Sequence, residues 1–290
     1  MVSSILDNGS LRAAINPVGA ELNSLTDRKG REYLWQGGKS WPRRAPILFP
    51  IVGRMPEDEL VVDGRSYRIH QHGFARDMVF AITEESVTSA LFTLRDTPES
   101  LAQFPFPFTL AVRYSLEGER LGVLTTVTNS GTEAFSASLG EHPGFAWPLV
   151  ATVARDWYTL EFPHDEAEPI RRLGSGGLLA DQTFPTPVVG RTLTLNDALF
   201  DDDAVIFDRL RSRSVRYSAP EGPSITVDFD DFPFLGVWSR TPGDFLCIEP
   251  WFGMAAPEGF SGDYSTKPGQ FTLAPGDVLS FAHGITVSSS

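Results

Sequence analysis

With 290 residues, the chain is long enough for two ordinary domains or for one large all-β or α/β domain. Its 37 acidic and 24 basic residues give a formal charge of −13, leaving no broad positive surface for phosphate backbones or anionic lipid, so neither nucleic acid nor membrane is expected as a partner. A single cysteine, Cys247, excludes an internal disulfide and any multi-cysteine zinc or iron–sulfur site. The opening stretch MVSSILDNGSLRAAINP has no basic start and no apolar core of signal-peptide length, and no later apolar run approaches the roughly 20 residues of a bilayer span, so a cytoplasmic location is expected. Asn8-Gly9 reads as a tight hairpin turn.

Apolar residues then alternate with period two through Leu11/Ala13/Ile15, Leu121/Val123/Thr125/Val127, Ile225/Val227/Phe229 and Phe281/His283/Ile285/Val287, which predicts strands. Turn signals such as NPVG, NSGT, APEGP, TPGD and APGD separate the apolar runs, as in an antiparallel sheet protein. The best helical stretch is DTPESLAQF, about two turns long, with Thr97 as N-cap before Pro98. The expected fold is therefore mainly β, a sandwich of large antiparallel sheets. Neither a composition shift nor a fixed-period repeat divides the chain, so a single domain over residues 1–290 is expected. The glycines of RLGSGGLLADQ lack the spacing of a phosphate-binding loop and read as a surface loop.

The residues able to carry chemistry are few. His164 lies in the polar turn FPHDEAEP, and His283 alternates with apolar strand residues; neither is assigned a role. His70 and His72 in RIHQHGFARDM would share one strand face and could both point into a cleft. As a metal pattern the pair lacks a following carboxylate, and Arg76 close by argues against a cation, so no metal is expected. His142, between Glu141 and Pro143-Gly144, sits where the chain must turn at a strand end, a usual place for a binding side chain. Glu249 in FLCIEPWFGM has apolar surroundings that raise a carboxyl pKa, as a general base requires. Cys247 shares its strand face and reads as packing. Arg54 follows the apolar strand of APILFPIVGR; it could hold a hydroxyl, carboxylate or phosphate oxygen, or make only a surface ion pair. The acidic stretches FDDDAV and DFDDFPF lack the spacing of a calcium loop and read as solvated turns.

Taken in order and at their separations, APILFPIVGR, HQHGFARD, LGEHPGF and LCIEPWFG resemble the aldose 1-epimerase (galactose mutarotase) family, in particular its LacX-type subgroup. The opening NGSLRAAINPVGAELNSLTDRKGREYLWQG is also similar to that family's N-terminal strands, so the likeness spans essentially the whole chain. The resemblance implies a galactose mutarotase-type β-sandwich, or supersandwich, with a small-molecule sugar bound in an open cleft on one sheet. It implies cofactor-free interconversion of α and β anomers of a hexose, with His142 as acid, Glu249 as base, and Arg54 and His72 on the substrate. The family's aspartate on the sugar hydroxyls is matched to Asp203, and tryptophans such as Trp147, Trp238 and Trp251 are available to stack on a sugar face. Arg76 matches a position that holds the phosphate in the related hexose-6-phosphate epimerases, so a sugar phosphate is the alternative substrate. A non-catalytic carbohydrate-binding role is a further alternative, disfavoured by the joint presence of an acid and a base. The resemblance leaves the oligomeric state open.

Overall fold

A computed structural model of the chain describes residues 3–289. The alternation read from the sequence becomes a nine-stranded antiparallel sheet. In spatial order its strands are Thr192–Thr194, Thr159–Glu161, Ser214–Ser218, Ser224–Asp228, Val278–Ser288, Arg120–Asn129, Phe108–Glu117, Ser89–Arg95 and Ala81–Glu85. The longest three lie side by side, with Leu121 opposite Ile285 and Val123 opposite His283, so their apolar faces coincide. Leu121, Val123, Thr125 and Val127 are all buried, as the period of two requires.

Facing this layer is a six-stranded sheet, ordered Val205–Phe207, Phe234–Trp238, Phe245–Phe252, Leu139–Glu141 and Ile47–Leu48, with Gly144–Ala146 also pairing to Phe245–Phe252. One apolar cluster joins the two layers, taking Leu110, Val123 and Ile285 from the large sheet and Leu139, Leu246 and Ile248 from the small one. A hydrogen bond crosses it too: Thr125 Oγ1 donates to Glu141 Oε1 at 2.9 Å. The interior is thus the filling of a sandwich.

The other face of the small sheet carries a second cluster, built from Leu48, Val52, Ile206, Trp251 and Ala255. Strand Phe245–Phe252 serves both sides: Leu246 and Ile248 enter the main core, while Phe245, Cys247, Glu249 and Trp251 point the opposite way. Because this strand has partners on both edges and both faces covered, every residue from Phe245 to Trp251 is buried.

Two local expectations meet the structure here. Asn8-Gly9 forms the hairpin turn between Ser4–Asp7 and Leu11–Asn16, where Asn8 Oδ1 accepts from the Ser10 and Leu11 N–H groups. Thr97 caps its helix in a capping box with Ser100, but the α-helix covers only Pro98–Leu101, one turn rather than two. Past Leu101 the turn tightens, the Gln103 and Phe104 N–H groups both donating to the Ser100 carbonyl, and Phe104 drops into the core just before Pro105.

Candidate active site

His142 and Glu249 meet because of a break in a strand. Leu139–Glu141 and Gly144–Ala146 flank the same neighbour in one continuous register, with Gly140 opposite Trp251 and Gly144 opposite Cys247. Between the two halves, Pro143 has no N–H to give the ladder, and its carbonyl accepts from Ile248 N–H at 3.2 Å. The register places His142 opposite Glu249, and their side chains touch: Nε2 lies 3.1 Å from Glu249 Oε2. Both are buried, at 7% and 1% exposure.

Aromatic rings enclose the imidazole. Trp41 stacks on it with centroids 4.9 Å apart, and Trp238 and His72 each meet it edge-on at 5.8 Å. Gly144 makes the Trp41 stack possible, because a Cβ there would lie 2.5 Å from Trp41 Cζ3. The HPGF motif therefore supplies a reactive side chain, a ladder break and a slot for the covering ring.

Burial sets the protonation. It pushes the His142 imidazole down to about 3, with the Arg76 and Arg43 guanidiniums adding to the effect, and it pushes the Glu249 carboxyl well up, with the Asp203 charge adding. Each group alone is driven to its neutral form, so the pair shares one proton, resting as carboxylic acid beside neutral imidazole. The Cys247 thiol, likewise pushed up by burial, stays protonated. Donor atoms of His142, Cys247 and Glu249 lie within 4.8 Å of one another, but a metal ion needs the thiolate and carboxylate forms that burial here disfavours.

The pair lies in the wall of a cavity of about 300 Å³, at the lower end of the range of roughly 300–1,000 Å³ usual for small-molecule sites. His72, Arg76 and Asp203 also line it, so the structure brings five of the six expected residues together. His72 adopts φ +67°, the left-handed region that costs a non-glycine residue energy. Its Nδ1 accepts from Gly53 N–H at 3.1 Å while its own N–H donates to the Gly53 carbonyl at 2.8 Å. The proton of the neutral ring is thereby fixed on Nε2. Arg76 donates to the Gln71 carbonyl at 2.6 Å, and its Nε is buried without a hydrogen-bond partner. Burial and the nearby Arg43 lower it to about 10. Asp203, at φ +63°, is held by Ala204 N–H at 2.7 Å on its carboxylate and by Arg172 at 2.8 Å on its carbonyl.

Arg54 is the sixth residue, and it lies elsewhere. Its guanidinium is clasped by Asp58, Nε to Oδ1 at 2.7 Å and Nη2 to Oδ2 at 3.1 Å, and it reaches the Gly176 carbonyl at 3.3 Å in a separate groove. Asp58 sits four residues on, in the tight turn Pro56–Asp58, and captures the charge before it can reach the cavity. His70 and His72 part company too: the turn at Gln71-His72 leaves His70 exposed in another groove, so the pair does not share a strand face. Of the tryptophans, Trp238 and Trp251 line the cavity, whereas Trp147 is fully buried in the core beneath the Arg155 guanidinium. His164 is exposed and His283 is buried against Phe232, both away from the cavity.

Sequence reasoning missed Trp41. It lies in the irregular stretch GGKSWPRRAP, where no periodicity fixes a side-chain direction; its carbonyl accepts from Trp35 Nε1 at 2.8 Å and from Gly38 N–H at 3.0 Å, which pins the ring over His142.

The family model for aldose 1-epimerase matches residues 3–277. The plasmid-encoded protein LacX of Lactococcus lactis subsp. lactis is 34% identical over 293 residues, 97% of this chain and 98% of its own. Its chromosomal counterpart is also 34% identical, over 296 residues. A galactose mutarotase related enzyme from Lactobacillus acidophilus superposes with a TM-score of 0.92 at 31% identity, covering 99% of this chain and 98% of that one. A galactose mutarotase-like protein from Lactobacillus casei gives 0.92 at 33% identity, covering 99% of this chain and 100% of that one.

Proposed function

Because the chain belongs to the aldose 1-epimerase family and is a sugar-epimerising isomerase, we propose that it interconverts the α and β anomers of a free hexose by proton transfer between His142, Glu249 and the sugar. The supporting observation is the 3.1 Å contact between His142 Nε2 and Glu249 Oε2 at the cavity wall. A pyranose carries its ring oxygen and anomeric hydroxyl on one carbon. An acid and a base lying side by side can therefore reach both.

The reaction starts from the ion-pair arrangement of the shared proton, carboxylate beside imidazolium. Glu249 takes the proton of the anomeric hydroxyl as His142 gives its proton to the ring oxygen; the C1–O5 bond breaks and C1 becomes an aldehyde. After rotation about C1–C2, the ring oxygen attacks the other face of C1. His142 recovers its proton from that oxygen and Glu249 returns its proton to the former carbonyl oxygen. Electrons stay within the sugar, so the step needs no redox cofactor, and each group ends as it began. His72 offers its Nε2–H to a sugar oxygen, Asp203 accepts from hydroxyls, and Trp41 and Trp238 exclude water and cover the apolar side of the ring. In this reading Arg54 shapes the rim through Asp58 and the Gly176 carbonyl, without touching the sugar.

A second reading concerns a sugar bearing an anion. Arg76 and Arg240 line the cavity, and Arg76 shares with Arg43 the single carboxylate of Asp77, at 3.9 Å and 2.8 Å, which leaves positive charge beside the sugar site. A hexose phosphate would place its anion there.

Polarimetry of fresh α-glucose, α-galactose and their 6-phosphates, with and without protein at a pH where spontaneous mutarotation is slow, tests both readings. Acceleration is the expected result. Acceleration confined to hexose 6-phosphates would select the second reading, and none with either class would refute both.

A further inference from the structure

The mechanism above uses Trp251 only as part of the cavity wall, yet its indole sits in a seat made for it. Gly140 and Gly236 occupy the two strands on either side, opposite Trp251 and Glu249 respectively. A Cβ at Gly140 would lie 2.8 Å from Trp251 Cδ1, and one at Gly236 would lie 2.5 Å from Cη2 and Cζ2. The indole therefore lies flat across three strands, its pyrrole edge over Gly140 and its benzo ring over Gly236. Glu249 is two residues away on the same strand face. The ring is 6% exposed and its Nε1 is buried without a hydrogen-bond partner, while Glu249 Oε2 has no other neighbour of that kind than His142 Nε2 at 3.1 Å. Two such atoms on one wall, a donor and an acceptor, are costly unless they serve each other or a ligand.

We propose that the Trp251 indole N–H is a positioning donor to the Glu249 carboxylate, engaging it when the shared proton moves to His142 and so favouring the ion-pair arrangement that begins ring opening. This rests on the acid–base reading of the site. The charged and titratable groups facing Glu249 are His142 from the adjacent strand, Asp203 from the loop before Val205–Phe207, and Cys247 on its own strand. Of these only the Cys247 thiol is a neutral donor, and a weak one, whereas the indole N–H is a stronger donor that adds no charge. Consistently, Trp251 lowers the Glu249 carboxyl against the larger upward push of burial.

Replacing Trp251 by β-(benzothiophen-3-yl)alanine swaps the N–H for sulfur and keeps the ring shape; W251F removes the N–H with part of the ring. Both should lower kcat for mutarotation about tenfold with KM changed less than twofold, while thermal unfolding of the isostere stays close to wild type. The second readout does not depend on turnover. The carboxylic C=O stretch of Glu249, identified by its loss in E249Q, should titrate at higher pH in the isostere than in wild type by infrared difference spectroscopy. An isostere with wild-type kcat and an unmoved titration overturns the proposal, even if W251F is impaired, because the ring rather than its N–H would then matter. A protein without epimerase activity, but with the shifted titration, would sink the acid–base reading and leave the indole–carboxylate contact standing.

Discussion

At Glu249 and His142, each side chain is useful because burial makes its charged form costly. In the E249Q and H142N variants the shape is kept and proton transfer is lost, so kcat should fall about 10² to 10⁴-fold in polarimetric assays, with unfolding midpoints close to wild type. Retention of most activity in either variant would remove that residue from the chemistry. The pH dependence follows from the directions of the shifts. The working pair holds one proton; a second proton, taken up only near the depressed His142 value of about 3, removes the base, and loss of the first, above the raised Glu249 value, removes the acid. The kcat/KM profile should therefore show no inflection near 6.5, where an ordinary histidine titrates. A clear step there would mean that His142 is solvated in the working enzyme. The apolar run around Glu249 made its raised carboxyl readable in the sequence. The lowered imidazole was not readable, because the rings that bury it come from Trp41, Trp238 and His72, three distant points of the chain.

Among the elements, the broken strand Leu139–Ala146 is the decisive one. Its interruption at His142-Pro143 keeps the register on Phe245–Phe252 while freeing one cross-strand pair for chemistry. The Gly144→Ala substitution should test this, since the added Cβ meets Trp41 2.5 Å away and must displace the ring from His142. We expect a loss of about 1–3 kcal/mol in urea unfolding and at least a tenfold fall in kcat/KM. Wild-type kinetics would show the ring to be irrelevant to the acid. Strands of this kind were legible from their period of two, and strand ends from proline and glycine. Loop-borne side chains were not: Trp41 carried no periodic signal, Arg54 had a carboxylate waiting four residues on, and the left-handed turn at His72 undid the alternation that seemed to join it to His70.

For the molecule as a whole, the two layers meet across one carboxyl that the chemistry does not use. Glu141 is buried between the sheets with Thr125 as its donor, and burial pushes it up to about 8 from an ordinary value of 4.5. The folded protein thus keeps a proton that the unfolded chain releases above about pH 4.5, so stability should fall as pH rises from 4.5 to 8 and level off beyond. E141Q, which retains an acceptor for Thr125 and cannot ionise, should be the more stable by about 4 kcal/mol at pH 8, the gain vanishing near pH 4.5. Equal urea midpoints for the two proteins at both pH values would place Glu141 in a wetter setting. The mainly β architecture and its antiparallel layering were evident from the apolar alternation and turn residues. The order of the strands was not, because pairing partners more than 100 residues apart, such as Val123 and His283, leave no local trace.

The single proton held between His142 and Glu249 also fixes how the protein greets its ligand. Moving that proton from carboxyl to imidazole redistributes charge inside the site but leaves the total proton inventory unchanged. A neutral sugar should therefore enter and leave without exchanging hydrogen ions with the medium. Titration calorimetry in phosphate and in Tris, whose heats of ionisation differ widely, should return the same binding enthalpy.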